Sequence, residues 1–104
     1  MLTRNISTEE MTAILKGKIP IFDAVFDFDR YGKAVFVHNK KYGVVNRNYD
    51  ILLDELYDEI KILENGCIIA KYQGDYLLFD KNAYLIETKG FKTEEETMDY
   101  SEFF

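Results

Sequence analysis

The chain has no tryptophan, one proline, one cysteine and one histidine among its 104 residues. A lone Cys67 excludes an internal disulfide framework. A lone His38 excludes metal sites built from several imidazoles. One proline and six glycines exclude collagen-like or linker-like character. The uninterrupted apolar runs are far shorter than the ~20 residues that span a bilayer. No apolar stretch follows Arg4, so no export signal is expected, and with the unpaired cysteine this places the chain in the cytoplasm. Cys67 stands among Gly66, Ile68 and Ile69 with no neighbouring cation, which reads as a small packed hydrophobe. The only serines, Ser7 and Ser101, lie near the two ends, and no glycine-rich loop precedes a helix. Asp27 and Asp29 read as turn residues. No catalytic residue, metal site or cofactor is expected, and the chain is read as non-enzymatic.

What is present describes one small globular domain: 47% hydrophobic and 31% charged residues, with eight tyrosines and eight phenylalanines that favour strands. The net charge of −6 is unevenly spread. Residues 30–49 hold Arg30, Lys33, Lys40, Lys41 and Arg47 and no acid. Residues 50–64 hold Asp50, Asp54, Glu55, Asp58, Glu59 and Glu64 against Lys61 alone. Residues 92–104 hold Glu94, Glu95, Glu96, Asp99 and Glu102 against Lys92.

Residues 6–17 read as a short N-terminal helix. Ser7-x-x-Glu10 is a capping box, Ile6 and Met11 stand where a hydrophobic staple would close, and Met11, Ile14 and Leu15 form the apolar stripe. From Ile19 the period changes to two. Short runs at 22–28, 33–38, 42–46, 67–72, 76–80 and 83–87, separated by turn residues, predict an antiparallel meander. Residues 91–104, acidic and without clear periodicity, read as a loose tail.

The chain also repeats itself. At an offset of 34, residues 34–48 fall on 68–82, bringing Gly32 onto Gly66, Tyr42 onto Tyr76 and Asn48 onto Asn82. With one residue of slack, Phe22-Asp23-Ala24-Val25 falls on Tyr57-Asp58-Glu59-Ile60. This makes a first unit at 20–54 and a second at 55–90. It favours an extended chain at 57–63 where periodicity leans towards helix, leaving a helical turn open at 51–56. The fold class expected is mainly β: two tandem units of ~34 residues behind a short helix.

The pattern resembles the WG (tryptophan-glycine) repeat family. The residues that carry it are Tyr57-Asp58-Glu59-Ile60, Gly66, Lys71, Tyr76 and Asp80 in one unit, and Phe22-Asp23-Ala24-Val25, Gly32 and Lys41-Tyr42-Gly43 through Asn46 in the other. Tyrosine replaces the family's tryptophan at Tyr42 and Tyr76, and Leu77 replaces the following glycine in the second unit. The resemblance implies a binding or interaction role and brings no catalytic residues.

Two stacked units leave open sheet edges, which are expected to pair with a second copy or a partner strand. The function expected is protein binding: a small acidic protein of inhibitor or immunity type that docks on a basic surface through Asp50, Asp54, Glu55, Asp58, Glu59, Glu94, Glu95 and Glu96. The alternative is nucleic-acid binding through the basic aromatic hairpin, with Arg30, Tyr31, Lys40, Lys41, Tyr42 and Arg47 as its contacts. No membrane partner is expected.

Overall fold

A computed structural model describes residues 6–86 and 90–104. Helix α1 (Thr8–Leu15) leads into a four-stranded antiparallel sheet, β1 (Ala24–Val25), β2 (Lys33–His38), β3 (Lys41–Asn46) and β4 (Ile51–Tyr57), in that spatial order. A three-stranded sheet follows, β5 (Glu59–Ile62), β6 (Ile68–Tyr72) and β7 (Asp75–Phe79), and the chain ends in α2 (Glu94–Ser101). The mainly β fold with a short N-terminal helix is as expected from the sequence.

The strand registers reproduce the sequence repeat. In the first unit Ala34 faces Val45 and Val37 faces Tyr42; in the second Ile68 faces Phe79 and Lys71 faces Tyr76. Ala24 opposite Val37 becomes Glu59 opposite Lys71, which absorbs the one residue of slack. Pairings of β3 with β4 recur as two isolated bridges: Val45–Ile51 as Phe79–Leu85, and Tyr42–Tyr57 as Tyr76–Phe91. The strand expected at 83–87 is therefore a bridge at Leu85, the counterpart of β4, and its last residue, Glu87, lies outside the described residues.

Most of the residues that define the repeat have a backbone task. Asp23 Oδ2 accepts from the Asn39 amide at 3.0 Å and so steadies the first hairpin tip, and Asp58, at the equivalent position, lies beside the backbone of Gln73 at the second. Both tips, Asn39-Lys40 and Gln73-Gly74, have two consecutive positive φ angles, the two-residue turn that matches strand twist. Gly66 adopts φ +90° with the Tyr31 ring against it, where a Cβ would stand 2.7 Å from the ring. Asn46 Oδ1 accepts from the amides of Asn48 and Asp50, and Asp80 Oδ1 repeats this with Asn82 and Tyr84.

The molecule is a stack. Ala13 of α1, with Ile19 and Phe22 of the segment that follows it, covers one face of the first sheet against Ala34, Phe36 and Val45. The opposite face packs Val44 and Leu53 on Ile68, Ala70 and Phe79 of the second sheet. The far face of that sheet, Cys67, Ile69 and Leu78, is covered by Phe91 and by Tyr100 of α2. Each helix closes one end, as end caps close short repeat arrays.

Three expectations are corrected. The acidic segment 91–104 contains α2, capped by Thr93, whose hydroxyl accepts from the Glu96 amide at 3.1 Å. It is anchored because Thr97 and Ser101 are buried and the Asn65 amide donates to the Ser101 carbonyl. Residues 51–57 are a continuous strand, with no helical turn. In α1 the Ser7 cap is present, but Leu15 is 79% exposed and Met11 is exposed as well. The buried face runs through Glu10 and Ala13, with Ile14 packed beside it, so the staple and the stripe are out of phase with the fold.

Candidate protein-docking cleft

The repeat tyrosines, Tyr42 and Tyr76, hold the bridges to Tyr57 and Phe91 through their backbones, while among the described residues their side chains make no hydrogen bond to the backbone. Tyr42 and Tyr76 both line one open cleft of about 380 Å³, together with Glu59, Lys61, Ile69, Lys71 and Glu94. The cleft exists because α2 packs on β7 and β6 and leaves the β5 side of the second sheet uncovered. Alternation places Glu59 and Lys61 on that face, opposite Lys71 and Ile69. Tyr42 reaches it from the end of β3. Lys71 Nζ lies 5.8 Å from the centre of the Tyr76 ring, and Lys61 Nζ lies 3.6 Å from Glu94 Oε1. The lining joins two tyrosines and two isoleucines to charges of both signs, a set suited to holding a side chain or short segment of another chain.

Three of the predicted site residues, Tyr42, Glu59 and Glu94, meet here, and Glu95 and Glu96 continue the first turn of α2 from Glu94. The remaining acids are divided. Asp50 bonds the Lys18 ammonium at 2.6 Å and accepts from Asn46, and these contacts hold its carboxyl below the ordinary range. Asp58 is lowered chiefly by its hydrogen bond from Lys41. Glu55 pairs with His38 across β4 and β2. Asp54, Glu59, Glu95 and Glu96 have no ion-pair partner among the described residues.

The basic hairpin does not form one patch. Lys33 is buried, 3.2 Å from Asp29 Oδ2 although without the alignment of a hydrogen bond, and 5.0 Å from the Tyr31 ring. Lys41 is taken by Asp58, and the Arg47 guanidinium lies 4.9 Å from the Phe28 ring. Arg30 and Lys40 remain exposed at opposite ends of β2, roughly 20 Å apart along a six-residue strand. Tyr31 is 43% exposed and is flanked on one side by Lys81.

Cys67 is 2% exposed, and burial pushes its thiol up from the ordinary value. Tyr57 is raised chiefly by burial, with Asp54 and Tyr72 adding to the shift. Among the described residues no group of three or more histidine, cysteine, aspartate or glutamate side chains is placed to hold a metal ion, and no helix is long and apolar enough to cross a membrane.

Sequence reasoning missed the cleft and the residues Lys61, Lys71 and Tyr76 as part of a site. The signal that could have found them is the repeat itself: Tyr42 and Tyr76 are equivalent positions. Comparison of the chain with known protein families, with curated proteins and with solved structures finds no match.

Proposed function

We propose that this is a non-enzymatic binding protein of the cytoplasm, built from two divergent WG-type units, that docks on a basic protein surface through the Tyr42–Tyr76 cleft and the acids beside it. The observation that carries this reading is the convergence of the two repeat tyrosine side chains on one open cleft edged by Glu59 and Glu94 and continued by Glu95 and Glu96. Tyrosine is well suited to the work, since it offers large contact area at low entropic cost and a hydroxyl at its tip. Uncommitted acids alongside steer a cationic partner and set its orientation. An inhibitor or immunity-type role, in which such a partner is blocked at its own acidic-ligand groove, follows from the same chemistry.

Nucleic-acid binding is the weaker reading, because the hairpin cations are buried, paired or far apart. The test uses immobilised protein and lysate of the host cell. A basic protein retained at low salt is expected, lost in Glu95→Lys/Glu96→Lys and in Tyr76→Ala, and unaffected by Arg30→Glu/Lys40→Glu. Salt-sensitive retention of the chain on a polyanion column, abolished by Arg30→Glu/Lys40→Glu, would overturn the reading in favour of nucleic acid.

A further inference from the structure

β5 is the outer strand of its sheet: β6 pairs with one edge, and among the described residues nothing pairs with the other. The phase of the ladder says which backbone groups that edge presents. The Leu63 amide donates to the Cys67 carbonyl, and the register runs Lys61 opposite Ile69 and Glu59 opposite Lys71. Alternate residues of an antiparallel strand turn their N–H and C=O towards the partner, so Lys61 and Leu63 are satisfied by β6. Ile60 and Ile62 direct theirs away from it. Their side chains meanwhile belong to the core between the two sheets.

Unpaired edges of this kind are a pairing template unless the side chains oppose it. Here the side chains complement a second copy. If two β5 strands pair antiparallel about a two-fold axis at Ile60, each Ile60 exchanges both backbone hydrogen bonds with its counterpart. Glu59 of each copy then stands directly opposite Lys61 of the other. Both residues are exposed. The symmetry makes the pair twice, with opposite charges on both occasions, and no other register centred within the strand does so. A register centred on Lys61 would set the two lysines against each other, and one centred on Glu59 the two glutamates.

We infer that the chain forms a two-fold dimer through β5, joining the two three-stranded sheets into one sheet of six strands, with Glu59 and the second copy's Lys61 fixing the register. The interface is isologous, as closed dimers require. Two docking clefts then lie beside one another about the axis, because Glu59 and Lys61 also edge the cleft of their own copy. The inference rests on the strand edge alone and not on the docking role proposed above, and its test needs no partner.

Sedimentation of the pure full chain over a concentration series is expected to show reversible monomer–dimer exchange. Glu59→Lys and Lys61→Glu each set like charges opposite one another twice, and each is expected to weaken the dimer about tenfold or more. The double variant Glu59→Lys/Lys61→Glu, made in a Glu94→Gln background because Lys61 pairs with Glu94 of its own copy, restores opposite pairs and is expected to return to within about threefold of the Glu94→Gln chain. Amide exchange at Ile60 and Ile62 is expected to slow as concentration rises. A chain that remains monomeric at every concentration while keeping its native β spectrum overturns the inference. So does a dimer that responds to neither single reversal, or one that the double reversal fails to restore.

Discussion

Gly43 shows how one position can tie two units together. Its φ is ordinary, and what forbids a side chain there is space: a Cβ would run into the edge of the Phe36 ring and the carbonyl oxygen of Leu53. Phe36 lies directly across from it on β2. In the second unit the same pair is Ala70 opposite Leu77, small and large exchanged. The departure of Leu77 from glycine is thus a compensated swap, with the bulk moved to the other strand. Gly43→Ala is expected to lower unfolding free energy by roughly 1–3 kcal/mol, as overpacking does in a close-packed site. Chemical denaturation of the parent and the variant checks it, and an unchanged midpoint would refute the account. Asp58 allows a second test at this scale. Its hydrogen bond from Lys41 lowers its folded pKa beneath the unfolded value of about 3.9. A depressed carboxyl contributes stability above the unfolded pKa and loses it as pH falls through the folded one. Lys41→Met is therefore expected to melt below the parent at about pH 7, with the gap closing in strong acid. Both groups are exposed, so the gap will be small; melting curves at both pH values measure it.

At the scale of elements, four strands and the N-terminal helix are legible in the sequence, while the strand expected at 22–28 shrinks to Ala24–Val25 and neither β4 nor α2 is legible. Period-two alternation located β2, β3, β6 and β7 within a residue or so, because each has a buried face and a turn with strong local chemistry at its end. The run from Ile51 to Ile62 was ambiguous because it is two strands of different sheets in succession, with a bulged pairing against β3 that breaks its alternation. α1 was found by its cap but given the wrong buried face, since Glu10 at 1% exposure occupies a position that an apolar stripe assigns to solvent. α2 was lost to its composition. Glu94, Glu95 and Glu96 look like a solvated tail, yet acids belong in a first turn, and Thr93-x-x-Glu96 repeats the signature of Ser7-x-x-Glu10. The cleft is half legible: the sequence marks Tyr42 by its place in the basic hairpin and Glu59 and Glu94 by their acidic runs, and only the stacking of the units brings them together. Thr93→Ala is expected to destabilise α2 by about 0.5–2 kcal/mol. The reporter is Cys67, whose thiol lies in the core that α2 covers. A thiol reagent should modify it faster in the variant; equal rates would mean that α2 does not control access to that face.

For the whole molecule, the core is distributed over the layers of the stack. No unit encloses a core of its own. Each sheet lends one face to the layer before it and one to the layer after, and the helices complete the two outermost layers. The charge follows the same order. Cations and acids from different parts of the chain meet in Lys18–Asp50, Lys41–Asp58, Lys61–Glu94 and Lys92–Asp75, so the apparent polarity of the sequence is largely spent within the fold, and the excess acid that remains lies where partners can reach it.

The bridges Tyr42–Tyr57 and Tyr76–Phe91 have one more consequence. After Tyr57 the chain enters another sheet; after Phe91, at the same point in the pattern, it enters a helix. Phe91 is thus the junction at which the repeat gives way to a covering helix. A further 34-residue module spliced in at that point would arrive in phase with β7 and deliver α2 to an identical berth one layer farther on. In this architecture each added unit extends the stack by one layer, and α2 can cover whichever sheet lies outermost.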